Sequence, residues 1–329
     1  AWKTFPALMA GNAVVLKPAS DTPLLALKLA EVLSEAGLPP GVLNVITGPG
    51  GSLGDALASH KGVNMISLTG STEVGRHVAE ICGRDLRRCA LELGGKNAVI
   101  VLDDADLDIA LESVVWGAFG TTGQRCTATS RVIVHKAVLR EFSDRLVAAA
   151  EKLSIGDGLD PQIEMGPLVN MDRVKAVHEY SEIGKREGAK LLTGGARLAD
   201  DAYAEGAFYQ PTIFTDVEPE MRIASEEVFG PFVTLLPVSS YEEAVRIANS
   251  TRYGLSTSVF TESSRLTFRA MRDIETGLLY FNAPTTGAEI HLPFGGTKES
   301  GNGHRELGSG AVDEFSEIKS IFVSYPTRS

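Results

Sequence analysis

The sequence predicts an α/β protein with a doubly wound sheet, and three observations carry that expectation. Short β-branched runs alternate with amphipathic helical stretches from residue 13 onward. Turn and capping residues punctuate the runs. At 329 residues the chain exceeds what one hydrophobic core usually organises, so two domains and a small third element are expected.

Val14 to Lys17 (VVLK), Leu43 to Thr47 (LNVIT), Met65 to Thr69 (MISLT) and Cys89 to Leu93 (CALEL) read as buried parallel strands. Between the first two, Thr22 caps a predicted helix with Pro23 at its first position. Leu25, Leu29, Val32, Leu33 and Ala36 supply its apolar stripe, and Gly37 with Pro39 ends it. A second series starts at Asn97. NAVIVLDD reads as a strand, and Leu107, Ala110, Leu111, Val114, Val115 and Ala118 mark a helix. Arg131 to His135 (RVIVH) is the next strand, and Phe142, Leu146, Val147, Ala150 and Leu153 mark the next helix. Gly94 and Gly95, between the two series, form the expected hinge. Ala196 to Gly206 reads as an exposed loop. Val312 to Tyr325 has strand propensity near its end, and such a terminal strand joins either a neighbouring subunit or an internal sheet edge.

Hydrophobic residues make up 43% and charged residues 22%, which excludes disorder or a fibrous chain. The net charge of -11 gives a surface that repels phosphate polymers and anionic membranes, so neither is an expected partner. No apolar run approaches the ~20 residues that span a bilayer, and AWKTFPALMAGN has no signal-peptide pattern. Cys82, Cys89 and Cys126 lack C-x-x-C or histidine spacing, so no disulfide framework and no metal site are expected, and a reducing cytoplasm fits. The opening at Ala1, directly in an apolar segment, reads as a fragment or processed chain.

The chemistry centres on one thiol. GAFGTTGQR, from Gly117 to Arg125, is a glycine-punctuated loop that delivers Cys126 between a helix and a strand, and Arg125 with nearby amides would favour its thiolate. Cys82 and Cys89 sit in helical and strand patterns and read as inert packing. Glu92, in LELGGK, is flanked by leucines before a glycine pair, where a buried carboxyl has a raised pKa and deprotonates water. Gly48 to Gly54 (GPGGSLG) misses the dinucleotide spacing. The better phosphate candidate is LTGSTEVG, where Gly70 turns and Ser71 opens a helix, although Ser71 taken alone reads first as an ordinary N-cap. Lys17 lies at the carboxyl end of the first strand, where open α/β sheets bind ligands, and Ser20 offers a hydroxyl rather than an acid there. EEVFGP (226–231) and PFGGTKESG (293–301) each read singly as turns beside a strand.

Together, KPAS, TGSTEVG, LELGGK, GQRC, EEVFGP, PFGG-x-K and NGHRELG in this order resemble the aldehyde dehydrogenase superfamily along essentially the whole chain. The resemblance implies a Rossmann-like cofactor domain (1–94 here), an α/β catalytic domain (95–309) and an oligomerisation strand and tail (310–329) that builds homodimers or homotetramers. It implies Cys126 as nucleophile, Glu92 as the base for thioester hydrolysis, and Lys3 with Glu306 as a proton-relay pair, although the extra residue at His304 disturbs that register. It implies NAD or NADP as cofactor, with Lys17, Ser20, Gly70 and Ser71 at its adenosine and pyrophosphate parts and Glu227 with Phe229 at the nicotinamide ribose. Phe294 would line the aldehyde pocket.

Ser20 stands where many NAD-preferring members carry glutamate, so NADP is admitted. The family's Pro-Trp-Asn segment would fall just upstream of Ala1, and losing its oxyanion-holding asparagine would cost about 10²- to 10³-fold in rate. FGTTGQRCTATSRVIVHKAV and PTTGAEIHLPFGG look most like members acting on semialdehydes such as 2,5-dioxopentanoate, with Arg125 or Arg131 meeting the distal carboxylate. Two rivals stand beside this reading: a non-catalytic cofactor-binding remnant, and a thiol hydrolase using a distant histidine such as His291.

Overall fold

The structure is a computed structural model that describes residues 1–200 and 202–325. Its first part runs α1 (Thr4–Met9), β1 (Val14–Leu16), α2 (Leu24–Glu35), β2 (Leu43–Val45), α3 (Gly50–Ser59), β3 (Met65–Thr69), α4 (Thr72–Arg84) and β4 (Arg88–Glu92). Next come β5 (Asn97–Val101), α5 (Leu107–Phe119), β6 (Thr129–His135), α6 (Lys136–Lys152), α7 (Met171–Arg186), β7 (Lys190–Thr193), β8 (Thr212–Thr215), α8 (Arg222–Ser225) and β9 (Phe232–Val238). The chain closes with α9 (Tyr241–Asn249), β10 (Tyr253–Gly254), β11 (Ser256–Phe260), α10 (Ser264–Asp273), β12 (Leu278–Phe281), β13 (Thr297–Lys298) and α11 (Ala311–Glu314).

Seven strands form one sheet in the order β12-β11-β5-β6-β9-β8-β7. Only β7 pairs antiparallel within it. The β5 run NAVIV is apolar on both faces because helices cover both: Ala98 and Ile100 face the layer containing Val177, Ile223 and Ile247, while Val99 and Val101 face Val114, Phe142 and Leu146. The helical periods read from sequence match, since Ala110, Val114 and Ala118 of α5 and Phe142, Leu146 and Ala150 of α6 are buried. The α/β fold is therefore as expected.

Two expectations about the N-terminal part change. The N-terminal strands are parallel but form two separate pairs among the described residues, β1-β2 and β3-β4. β1 and β2 are short and half exposed rather than buried. Thr22 does not cap α2. The helix starts at Leu24 behind Pro23 without a side-chain cap, and its stripe has no buried residue, Leu25 being 82% exposed. Gly94 and Gly95 are buried sites of close approach. A β-carbon on Gly95 would lie 2.6 Å from the Cys126 carbonyl oxygen, and one on Gly94 would strike the Glu227 carboxylate. The tail forms no strand among its described residues. Arg88 donates to the carbonyls of Glu314 (2.6 Å) and Ser316 (2.8 Å), and beyond them Ile318, Ile321 and Phe322 are exposed. A strand needs an edge to pair with, and among the described residues none reaches this segment. Residues 326–329 of the expected tail lie outside the described residues. The described residues of the 196–206 segment, 196–200 and 202–206, form bends and turns around one isolated bridge at Arg197, a loop as expected.

Candidate active site

Cys126 lies in the turn joining α5 to β6. Thr122 and Gly123 carry φ of 55° and 65°, and a side chain on Gly123 would collide with the Gly230 carbonyl, so glycine is required there. Asn97, the first residue of β5, anchors the turn. Its Nδ2 donates to the carbonyls of Cys126 (2.7 Å) and Ala128 (2.8 Å), and its Oδ1 accepts from the Ser256 N–H (3.1 Å). The thiol thereby faces an open cleft of about 1310 Å³, also lined by Thr69, Gly70, Ser71, Glu227, Phe229 and Phe294. Phe294 is buried and packs on Trp2 with ring centroids 4.9 Å apart.

Burial first, then Glu92 and Glu227, push the Cys126 thiol up to about 11, while the Thr127 N–H and its own pull it back. The sulfur thus holds its proton at neutral pH until a base takes it. The expected help from Arg125 is missing. Its guanidinium lies 5.8 Å from the Trp116 ring centroid on an exposed residue, although Arg125 does border the cleft.

Glu92 ends β4 and is only 5% exposed. Neither of its oxygens has a hydrogen-bond partner among the described residues. Burial, then Glu306, raises the carboxyl to about 8 against the opposing charges of Lys3 and Arg305. Its side chain faces a cavity of about 10 Å³, lined also by Ser67, His304, Arg305, Glu306 and Glu314, rather than the cleft itself; Trp2 borders both spaces. Lys3 forms an ion pair with Glu306 and donates to Ser67 Oγ at 3.1 Å, so this expected pair is in contact. A β-carbon on Gly295 would sit 2.7 Å from Glu92 Oε1, which explains a glycine there.

On the opposite side, Gly70 follows β3 and its N–H donates to the Glu92 carbonyl at 3.0 Å. Ser71 caps α4, its Oγ accepting from the Val74 N–H at 3.3 Å, and both residues border the cleft. The N-cap reading is observed, and a capped helix still aims its remaining N–H groups outward. Glu227 Oε1 accepts from the Gly95 N–H at 3.0 Å, and burial raises its carboxyl above the usual range. Phe229 has φ 54° and carries the Arg173 guanidinium 5.7 Å from its ring centroid. Lys17 and Ser20 stand apart from the thiol. The Lys17 ammonium donates to the Pro18 carbonyl (2.7 Å), and Ser20 Oγ donates to the Gly48 carbonyl (3.3 Å) beside a 280 Å³ recess lined by Ser20 and Thr47.

Two expectations fail. Arg131 is buried and spends its guanidinium on the carbonyls of Lys96, Ile247 and Ala248, so it cannot meet a substrate carboxylate. His291 is exposed, and no histidine among the described residues lines the cleft, which removes the basis for a thiol hydrolase. Sequence reading also missed Asn97 and the buried Lys96, whose Nζ has no partner among the described residues. An asparagine opening an otherwise apolar strand was the available signal, since strands disfavour that residue.

The aldehyde dehydrogenase family profile matches residues 1–321. The chain is 45% identical over 322 residues to the alpha-ketoglutaric semialdehyde dehydrogenase of Bacillus subtilis, covering 98% of this chain and 66% of that one. It is 46% identical over 324 residues to mouse (Mus musculus) retinaldehyde dehydrogenase 3, covering 98% and 62%. Among solved structures, a Staphylococcus aureus betaine aldehyde dehydrogenase in complex with NAD+ superposes with a TM-score of 0.93 at 36% identity, covering 95% and 62%. The chain thus spans about two thirds of the length of the relatives it matches. It belongs to the aldehyde dehydrogenase family.

Proposed function

We propose that the intact protein oxidises an aldehyde to a carboxylate with NAD or NADP, through a thioester on Cys126. The carrying observation is a thiol facing a large cleft while a buried carboxyl near pH 8, Glu92, lies close enough to raise the thiol's pKa. The Cys126 sulfur adds to the aldehyde carbon as its proton passes to the aldehyde oxygen, forming a neutral tetrahedral thiohemiacetal whose hydroxyl proton is released when the hydride departs. The nicotinamide, when bound, supplies the hydride acceptor. Glu92 then takes a proton from water, whose oxygen attacks the thioester carbon and releases the sulfur. Glu92 must rotate out of its small cavity to do so, since its carboxylate does not line the cleft.

The residues fit a dinucleotide. The α4 N-terminus opens on the cleft beside Gly70 and Ser71, and the absence of a side chain on Gly94 leaves the Glu227 carboxylate room to meet a ribose hydroxyl. Ser20 brings no negative charge to the outer recess, which favours tolerance of a 2′-phosphate. In this reading residues 1–94 carry the cofactor, 95–309 the chemistry, and 310–329 the contact that builds a homodimer or homotetramer. The exposed apolar side chains of Ile318, Ile321 and Phe322 support the last assignment. Three free thiols suit a reducing cytoplasm. Among the described residues no helix is long and apolar enough to cross a membrane.

For the substrate we favour a semialdehyde with a distal carboxylate. Similar identity to a semialdehyde and a retinaldehyde enzyme leaves Arg125, bordering the cleft next to the nucleophile, as the supporting feature. The deciding experiment is Cys126→Ala in the full-length enzyme. NAD(P)H formation is expected to vanish while cofactor still binds, and undiminished turnover overturns the mechanism. Glu92→Gln should accumulate an acyl-enzyme visible by intact mass.

A further inference from the structure

The reaction described above leaves one cation of the cleft unused. Among the described residues lining the cleft, the positive charges are Arg125, Arg173 and Arg252, and the negative ones Glu73, Glu226 and Glu227. Arg125 lies against Trp116 and Arg173 against Phe229, whereas Arg252, between α9 and β10, reaches Glu73 in the first turn of α4. Its partners leave it unsaturated. Nη2 donates to the Tyr253 hydroxyl at 2.7 Å, and the guanidinium carbon stands 4.8 Å from the ring centroid of that buried tyrosine. Glu73 Oε1 is 3.4 Å from Nη2 and Glu299 Oε2 is 3.4 Å from Nη1, both longer than a well-made N–H···O bond. Glu299 is held more closely by Arg76, at 2.6 Å. A guanidinium has five N–H donors, so Arg252 keeps several in reserve on a side chain that is 40% exposed at the cleft wall. Its backbone is fixed meanwhile, the carbonyl accepting from the Glu299 N–H at 2.9 Å.

We propose that Arg252 is a ligand of the cofactor's pyrophosphate, held ready on Tyr253 and drawn away from Glu73 as the dinucleotide settles on the N-terminus of α4. This rests on that N-terminus taking the pyrophosphate, as set out above. The first turn of α4 offers free N–H groups, yet Glu73 puts a carboxylate among them, so two phosphate charges arriving there meet repulsion unless a cation stands between. Arg252 is the cation in that place. A planar guanidinium meets two phosphate oxygens side by side, in bonds shorter and stronger than the 3.4 Å carboxylate contacts they replace. Glu73 is then a competitor for Arg252 and not a partner of the cofactor. The competing view makes Arg252 a strap that ties α4 to the segment before β10, with Glu73 and Glu299 as its fastenings.

The test measures binding rather than turnover. NADH titration followed by its fluorescence, with adenosine, ADP and NAD+ as displacing ligands, compares Arg252→Gln, Arg252→Met and Glu73→Gln with the unaltered full-length enzyme. Both arginine variants should weaken ADP and NAD+ about tenfold or more, the loss of a charge-assisted contact, and leave adenosine unchanged. Glu73→Gln should bind ADP and NAD+ at least as tightly as the unaltered enzyme, because it frees Arg252 and removes a neighbouring negative charge. Unchanged ADP and NAD+ affinity in the arginine variants overturns the assignment. So does a loss that adenosine shares, or an equal loss in Glu73→Gln, either of which is the behaviour of a strap. Melting curves check that each variant is folded; if Arg252→Gln is not, Arg252→Met decides, and failure of both to fold leaves the strap standing. If the unaltered enzyme binds adenosine as tightly as ADP, the reading of α4 as the pyrophosphate site fails. If it prefers ADP and the arginine variants keep that preference, only the role of Arg252 fails.

Discussion

Asn97 donates one amide to the carbonyl oxygens of both Cys126 and Ala128, at 2.7 and 2.8 Å. The turn that carries Cys126, the proposed nucleophile, is thereby fastened to the inner strand β5 instead of floating between α5 and β6. Because Asn97 is only 3% exposed, its removal leaves two carbonyls and the Ser256 N–H without that partner, each costing about 1–3 kcal/mol where water cannot enter.

Asn97→Ala is therefore expected to lower the melting temperature by several degrees and to reduce the acylation burst more than cofactor affinity. Gly95→Ala, whose β-carbon would press on the same carbonyl of Cys126, should give the same split. Equal losses in burst and affinity would show that Asn97 supports the whole cleft rather than the nucleophile.

Glu92 makes two expectations that share one titration. Its carboxyl is raised to about 8, so acyl-enzyme hydrolysis should climb with pH and level off above about 8. In stability, the native state keeps a proton between 4.5 and 8 that the unfolded chain has lost, so this group lowers stability as pH rises through that window. Glu92→Gln should accordingly be more stable than the parent at pH 8, by on the order of a few kcal/mol, with the advantage fading near pH 5. Denaturant melts at both pH values measure it.

Lys96 should show the opposite slope. Burial lowers its ammonium to about 7, whereas the unfolded chain stays charged until near 10.5. The burden of a buried charge is fully present below pH 7 and is relieved as pH rises above it. Lys96→Met is expected to stabilise by on the order of 2 kcal/mol at pH 6, and by less at pH 9. A destabilised variant at pH 6 would mean that attraction to Glu227 outweighs desolvation.

The proposed role of Arg125 is tested by comparing substrates. If its guanidinium binds a distal carboxylate, Arg125→Gln should raise KM for acid-bearing semialdehydes about tenfold or more, the worth of one charge-assisted hydrogen bond. It should leave KM for an uncharged aldehyde of similar length unchanged. Steady-state kinetics on the two substrates decide it.

The sequence by itself determined the alternation of strands and helices in residues 97–152 and the turn that carries Cys126, because side-chain periodicity and glycine sterics are local properties. It also ordered the motifs along the chain. Tertiary structure decided what those motifs touch. Lys3 and Glu306 lie 303 residues apart in the chain, Arg131 turned out to be consumed by backbone carbonyls, and Arg125 faces an indole rather than the thiol it was expected to activate. The raised carboxyl of Glu92 and the buried ammonium of Lys96 likewise follow from desolvation. Desolvation is the sum of contacts from distant segments, and no window of sequence contains it.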